Sequence, residues 1–182
     1  VLRAVLVESY FAPVVHNALI EQAGVNILAY RYSQELLQNA ITTDGQTRYE
    51  ASQVDLKPAA RDQGFRRAIV TAYDHRCVFC GIRLLTLAGR SAATAAHIIP
   101  WSVSHNDEPG NGLCLCRLCH WVFDEGLISI SAKYTVLLST QLAHVGNISG
   151  HLSTLDKRPI FEAVEPSFNP HPDALEWHRK YV

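Results

Sequence analysis

Two Cys-x-x-Cys pairs constrain the fold of this chain more than any other feature of its sequence. The first pair is Cys77 with Cys80, and the second is Cys116 with Cys119. Two residues between the thiols of a pair let both sulfur atoms point at one ion, and two pairs complete a tetrahedral shell of four thiolates for Zn²⁺. Such a zinc ion would be structural, because four thiolates leave no open coordination position. The alternatives are coincidence and a redox pair, although a redox pair would not come in duplicate.

The cysteines also indicate a cellular compartment. All five lie between positions 77 and 119. This clustering favours a metal site in a reducing compartment over the disulfides of a secreted protein, so we expect a cytoplasmic location. Cys114 falls outside the paired pattern and is expected to be a small, buried apolar residue. Gly81, directly after the first pair, suits the tight turn that the zinc site requires.

Composition excludes several classes of protein. The chain has 182 residues, of which 48% are hydrophobic and 18% charged, which is typical of one globular domain or a small pair. No apolar run approaches the roughly 18 residues of a membrane-spanning helix, and Glu8 interrupts the first apolar stretch too early for a signal peptide. Since the sequence contains no methionine, we expect it to be a fragment of a longer protein.

Charge is balanced overall but uneven along the chain. The net charge of −1 excludes a bulk polycation, so any binding of nucleic acid has to use a local basic patch. Residues 61–90 carry six arginines against two acidic residues. Phosphate contacts by some of these arginines are one interpretation, and a solvated helix face is the other. The candidate DNA-binding residues are Arg61, Arg66, Arg67 and Arg76.

Periodicity and turn residues predict a mixture of helices and short strands. Helical spacing dominates residues 1–40, where Ser33 is expected to cap a short helix, and a polar linker is expected over residues 42–64. The region that follows contains the cysteine pairs. There the pattern predicts a helix at 65–73, a strand at 93–99, a loop at 100–110, a helix at 111–125, a β-hairpin at 127–138 and a last helical turn at 174–181.

Three sequence motifs lie between and beside the cysteine pairs. They are Ala-His-Ile-Ile-Pro at 96–100, Asn-Gly-Leu-Cys-Leu-Cys at 111–116 and Cys-His-Trp-Val-Phe-Asp-Glu-Gly-Leu at 119–127. As an ordered set, these motifs resemble the HNH endonucleases of the His-Me finger (ββα-metal) superfamily. The likeness is greatest to the bacterial restriction-type branch that carries this module at its C-terminus. It covers residues 61–140 well, and for residues 1–60 it is only loose.

The resemblance implies metal-assisted hydrolysis of phosphodiester bonds, with a role for each motif. His97 takes the place of the general base, Asn111 positions the base or helps to hold the metal, and His120 binds a divalent cation such as Mg²⁺. Asp124 is a second candidate ligand, since it lies four residues after His120 on the expected helix. Many relatives carry Asp or His directly before the base, and here that residue is Ala96. Either Asp124 or Asn111 takes over, or the metal is held more weakly.

Each of these residues also has a purely structural interpretation. His97 could be a hydrogen-bonded core histidine, and Asn111 could be a helix N-cap. His120 could pack beside the zinc site, while Asp124 could pair with an arginine.

The sequence therefore predicts an α+β protein in which an N-terminal helical region precedes a ββα-metal module. That module would carry a four-cysteine structural zinc site and a trailing β-hairpin. The expected division is 1–60, 61–140 and 141–182. The expected function is a metal-dependent endonuclease that cleaves DNA, serves restriction of foreign DNA and contacts no membrane. A homodimer is left open, because cleavage of both strands often requires two subunits. The alternatives are a non-catalytic zinc module that binds nucleic acid and a secreted nuclease toxin.

Overall fold

The computed structural model describes residues 2–42, 57–143 and 147–182. Two helices form the N-terminal region, α1 (Leu2–Tyr10) and α2 (Pro13–Thr42). Helix α2 begins at Pro13, since the fixed φ of proline suits the first turn of a helix. The predicted helix cap at Ser33 is wrong. Ser33 lies buried inside α2, where its hydroxyl donates to the carbonyl of Tyr30.

Helix α3 (Pro58–Ala72) packs along α2 and begins earlier than the sequence predicts. Residues 58–64 belong to this helix rather than to the expected linker, and residues 43–56 lie outside the described residues. The linker prediction failed for 58–64 because Pro58 and Gly64 were both taken as loop residues. Pro58 occupies the first helical turn, and Gly64 lies where α2 leaves no room for a side chain. A Cβ atom at position 64 would lie 2.8 Å from Cδ1 of Tyr32.

The central unit is a two-stranded antiparallel sheet followed directly by a helix. Strand β1 (Ala93–His97) pairs with β2 (Gly112–Cys116), and His97 lies opposite Gly112 in the register. A short helix, α4 (Trp101–Ser104), follows β1 within the connection between the strands, and helix α5 (Arg117–Asp124) starts directly after β2. This ββα unit is the architecture that the sequence predicts.

The prediction of one helix over 111–125 is wrong in its first half. Residues 112–116 form β2, and only residues from Arg117 onward are helical. Leu113, Cys114 and Leu115 are all fully buried, because β2 lies against α3 as well as pairing with β1. A continuous apolar run of this length does not distinguish a buried strand from a buried helix.

The remaining elements follow the prediction closely. A β-hairpin is formed by β3 (Ile128–Ile130) and β4 (Val136–Leu138), and the chain ends in α6 (Pro172–Tyr181), which packs on β3. One hydrophobic core joins α3, the ββα unit, the hairpin and α6. The fold class predicted from the sequence is confirmed. Among the described residues, no helix combines the length and the apolar character needed to cross a bilayer.

Candidate active site and cysteine cluster

The four paired cysteines converge on one point. The Sγ atoms of Cys77, Cys80, Cys116 and Cys119 all lie within 4.8 Å of one another. The Sγ atoms of Cys80 and Cys116 are 3.8 Å apart, which excludes a disulfide bond at about 2.05 Å. The same separation equals the edge of a tetrahedron with metal–sulfur bonds of about 2.3 Å, roughly 3.8 Å. The geometry and the soft thiolate donors therefore fit a zinc-type ion.

Local structure explains why both pairs face the same point. In the first pair, the amide of Gly81 donates to the carbonyl of Cys77 at 2.9 Å, and Gly81 has a φ of 74°. This left-handed conformation closes the turn and favours glycine. In the second pair, Cys116 ends β2 and Cys119 lies in the first turn of α5. The amide of Val78 donates to the carbonyl of Cys114 at 2.8 Å, which joins the first turn to β2.

Cys114 lies apart from this cluster, as predicted. It is completely buried in β2, and burial raises the pKa of its thiol to about 12. Cys114 therefore stays a neutral, apolar core residue.

The imidazole of His97 lies beside two aromatic rings at the end of β1. Its ring stacks on that of Phe65, with centroids 3.7 Å apart and planes inclined by 8°. The Trp101 ring is tilted against it, with centroids 6.4 Å apart. The side chain of His97 keeps 21% of its surface exposed, so His97 is not a closed core histidine and can reach a substrate.

One nitrogen of His97 is bound to a carboxylate that the sequence analysis did not assign. Nε2 of His97 lies 2.8 Å from Oδ1 of Asp107, and Asp107 is buried. An ionised carboxylate only accepts hydrogen bonds, so the proton lies on Nε2. Nδ1 then carries the free lone pair, and Nδ1 is the atom that can take a proton from water.

Asn111 holds the loop that carries Asp107. Its Nδ2 donates to the carbonyl of Ile99 at 3.0 Å and to that of Asn106 at 2.9 Å, and its Oδ1 accepts from the amide of Ile99 at 2.9 Å. Asn111 ends a 3₁₀ turn ahead of β2, so it is not a helix N-cap. Its amide connects the two ends of the loop between Ile99 and Asn106, and in this way it fixes the position of Asp107.

His120 and Asp124 lie together on one face of α5. Nε2 of His120 is 3.4 Å from Oδ2 of Asp124, and both side chains are partly exposed. Burial raises the pKa of the Asp124 carboxyl and the neighbouring Glu125 raises it further, while His120 acts in the opposite direction. In the part of the chain that the structure describes, the four cysteines are the only group of three or more potential ligands. A cation at His120 and Asp124 would therefore complete its shell with water or substrate oxygens, as Mg²⁺ usually does.

The four arginines predicted to bind DNA differ in their exposure and in the rings that they contact. Arg61 is mostly buried, with 18% of its side chain exposed, and its guanidinium stacks 3.6 Å above the Trp101 ring. Arg66 is exposed. Arg67 lies over the Tyr30 ring and Arg76 over the Phe161 ring, at 4.8 and 5.3 Å. Trp121 is 56% exposed on α5.

Comparison with known proteins assigns the central region to a family. The family model described as HNH endonuclease matches residues 77–131, which span both cysteine pairs and all three motifs. Residues 77–131 therefore form a domain of the HNH endonuclease family, as the motifs predicted.

A solved structure described as the modification-dependent TagI restriction endonuclease is similar to this chain, with 24% sequence identity and a TM-score of 0.48. The similarity covers 65% of this chain and 37% of that one, so this chain spans little more than a third of that protein. Among curated proteins, none matches.

Proposed function

We propose that this protein is a divalent-metal-dependent endonuclease that hydrolyses phosphodiester bonds in DNA. The HNH domain supports nuclease chemistry in general. The observation that carries the specific proposal is the state of His97, which has one nitrogen hydrogen-bonded to a buried carboxylate and the other free to act as a base. A non-catalytic zinc module needs neither this histidine nor its carboxylate partner.

In the proposed reaction, His97 acts as the general base. Nδ1 takes a proton from a water molecule as that water attacks the phosphorus atom, and Nε2 keeps its hydrogen bond to Asp107. The bond between phosphorus and the leaving sugar oxygen breaks as the new bond forms, and the leaving oxygen takes a proton from solvent water. An imidazole suits this task, because its unprotonated nitrogen carries a lone pair that can accept a proton. Phe65 fixes the plane of the ring by stacking, so the lone pair of Nδ1 keeps one direction.

We assign His120 and Asp124 as ligands of the catalytic cation. When bound, a divalent cation would stabilise the negative charge that develops on the phosphate oxygens. The imidazole and the carboxylate are 3.4 Å apart on the exposed side of α5. This leaves the remaining coordination positions open to water and substrate.

We assign the cysteine cluster as a structural zinc site. It lies at the beginning of α5, and Cys119 is directly followed by His120. Zinc would therefore fix the first turn of the helix that carries the candidate cation ligands. This separates the two metal roles, because one ion would hold the fold and the other would take part in the reaction.

The proposed role in restriction of foreign DNA rests on the resemblance of the sequence motifs, and so does the boundary of the middle part, 61–140, in the three-part division. The proposed cytoplasmic location rests on the clustering of the cysteines, which favours a reducing compartment. Binding to the phosphate backbone is assigned to Arg66, Arg67 and Arg76. These arginines belong to the basic stretch at 61–90, and all three are exposed.

Incubation of the purified protein with supercoiled plasmid tests this function. The assay compares Mg²⁺, Mn²⁺, Ni²⁺ and a chelator, on methylated and unmethylated DNA. We expect nicked or linear products in at least one metal and none with the chelator. His120→Ala should raise the metal concentration that gives half-maximal cleavage. Binding of DNA without cleavage under every condition would instead support a zinc-containing binding module.

A further inference from the structure

Asp107 is buried at the meeting point of three elements. Only 2% of its side chain is exposed, and burial of a carboxylate is costly unless other groups pair with it. Its Oδ1 accepts from Nε2 of His97 at 2.8 Å. Its Oδ2 accepts from the hydroxyl of Tyr32 at 3.0 Å and lies 4.0 Å from Nε of Arg61. These partners come from β1, α2 and α3, so the carboxylate joins the N-terminal helices to the HNH domain.

We propose that Asp107 is the positioning residue of His97, and that Tyr32 and Arg61 hold Asp107 in place. The N-terminal helices would then form part of the active site rather than a separate region. This inference rests on the proposed function, because it assumes that His97 is the base. It adds a carboxylate and two supporting side chains that lie outside the three sequence motifs at 96–100, 111–116 and 119–127.

The two oxygens of Asp107 have different partners, and together these partners fix the orientation of the carboxylate relative to His97. With Oδ1 bound to His97, the imidazole keeps its proton on Nε2 and its lone pair on Nδ1. Oδ2 accepts a hydrogen bond from the Tyr32 hydroxyl. The buried carboxylate therefore cannot rotate without losing this hydrogen bond. A carboxylate held in this way favours the protonated imidazole that forms when His97 takes a proton.

The supporting side chains are themselves held in place. Helices α2 and α3 approach closely at Gly64, where an added Cβ would lie 2.8 Å from the Tyr32 ring and 2.9 Å from the carbonyl of Ala29. Tyr32 is therefore fixed by the contact between the helices. Arg61 is held by the stacking of its guanidinium on the Trp101 ring.

The charged and titratable groups that contact the His97 ring, directly or through Asp107 and Trp101, can be named within the described residues, so a change of pH profile can be interpreted. Asp107 contacts the ring directly, while Tyr32 and Arg61 contact Asp107. His105 lies beyond Trp101, with centroids of these two rings 5.2 Å apart. The ring that stacks on His97, Phe65, carries no charge.

The first test measures cleavage by Asp107→Asn in the full chain loaded with zinc. We expect kcat to fall by about 10²- to 10⁴-fold, as when the carboxylate of a catalytic triad is replaced, with KM nearly unchanged. The acidic limb of the pH–rate profile should move to lower pH, because the carboxylate no longer favours the protonated imidazole. Wild-type kcat with an unchanged pH profile would overturn the proposal.

A matched control uses the other carboxylate that contacts Arg61. Asp62→Asn removes the negative charge of an exposed ion-pair partner of Arg61. It changes no contact of His97, so we expect wild-type kcat. Equal losses in Asp62→Asn and Asp107→Asn would show that the effect runs through Arg61, and the role of Asp107 toward His97 would be rejected.

A second pair of variants tests the helix contribution without changing a buried charge. Tyr32→Phe should lower kcat by about 3- to 10-fold, since a hydrogen bond to a charged group is lost, and KM should stay the same. Tyr73→Phe is the control, because the buried Tyr73 hydroxyl makes no hydrogen bond within the described residues. Wild-type kcat in Tyr32→Phe would exclude the N-terminal helix from the active site.

Nuclear magnetic resonance of the histidine ring nitrogens tests the positioning without any activity. Wild-type His97 should be in the single tautomer with its proton on Nε2, and Asp107→Asn should give a mixture of tautomers. A wild type that shows this tautomer but cleaves no DNA would reject the proposed function and keep the positioning. A wild type with its proton on Nδ1 would reject the positioning, whatever its activity.

Discussion

The cysteine cluster and the His97 site lie in the same small domain, but they are built from different ranges of sequence. All four cysteines fall between positions 77 and 119 and sit in two local turns. The carboxylate of the His97 site is held by Tyr32, which is 75 residues away from Asp107 in the sequence. The comparison shows that four convergent cysteines can be recognised from short motifs, whereas the hydrogen bond that orients His97 depends on packing between residues distant in the sequence.

The largest expected effect comes from opening the cysteine cluster. Cys116→Ala should remove the zinc and unfold the domain, because structural zinc contributes on the order of 10 kcal/mol to folding in small zinc modules. Elemental analysis and thermal unfolding measure the two effects.

Cys114→Ala is the matched control for the cluster, since Cys114 lies in the same strand but outside the ligand set. We expect the zinc content to stay at one ion per chain. The free energy of unfolding should fall only by the small amount that corresponds to removing one buried sulfur atom from the core. Loss of zinc in Cys114→Ala, or its full retention in Cys116→Ala, would contradict the assignment of ligands.

A smaller effect is expected from the C-terminal helix α6, whose His178 contacts Phe123 of α5. His178 is buried and stacks on Phe123 with centroids 3.8 Å apart. Its Nε2 donates to the carbonyl of Phe123 at 3.1 Å, and its Nδ1 accepts from the hydroxyl of Ser129 at 2.9 Å. Burial is the main cause that lowers the pKa of His178 to about 4. The carbonyl of Phe123 acts in the opposite direction, and the charge of Arg179 adds a smaller lowering to the same net value.

This shift makes stability depend on pH in a defined window. The unfolded chain binds a proton at His178 below about pH 6.5 and the folded chain only below about pH 4, so stability falls as the pH drops from 6.5 to 4. The loss is on the order of 3 kcal/mol at 1.36 kcal/mol per unit. Denaturant unfolding of the zinc-loaded wild type and of His178→Gln measures it. The wild type should lose more stability in this window, and parallel curves would contradict the assignment.

The smallest expected effect concerns the exposed arginines. Each phosphate contact contributes about −0.9 to the slope of log affinity against log salt. Arg66→Ala and Arg67→Ala should each make the slope shallower by about that amount if the side chain touches a phosphate. Asp156→Asn, an exposed change elsewhere on the surface, is the control. A wild-type slope of zero would exclude this stretch as a phosphate-binding surface.

Local patterns predicted much of the fold and of the candidate site. The strand that ends at His97, the β-hairpin and the convergence of the cysteines were all visible from spacing and turn residues. The helix over 111–125 was half wrong, because Leu113 and Leu115 are apolar in a buried strand as they would be in a buried helix. Ser33 was read as a cap because its neighbours suit a helix end, yet α2 continues through it.

The carboxylate of Asp107 could not be predicted from spacing. It lies in a loop of turn-forming residues with no periodic pattern. Its partners His97, Tyr32 and Arg61 are on three different elements, so only the packing of α2 and α3 brings them together. His178 was passed over for the same reason, since its partners Phe123 and Ser129 are distant in the sequence. The only sequence signal for Asp107 was that it is an acidic residue in the loop that follows His97.

The central claim is that His97 is the base and that the cysteine cluster maintains the fold independently of it. The measurement is single-turnover cleavage of one plasmid by His97→Ala, by wild type and by His105→Ala, a nearby exposed histidine, all with equal zinc content. We predict that His97→Ala is slower by about 10²- to 10⁴-fold, and that His105→Ala cleaves like the wild type. Equal rates for His97→Ala and wild type would contradict the claim and place the base elsewhere.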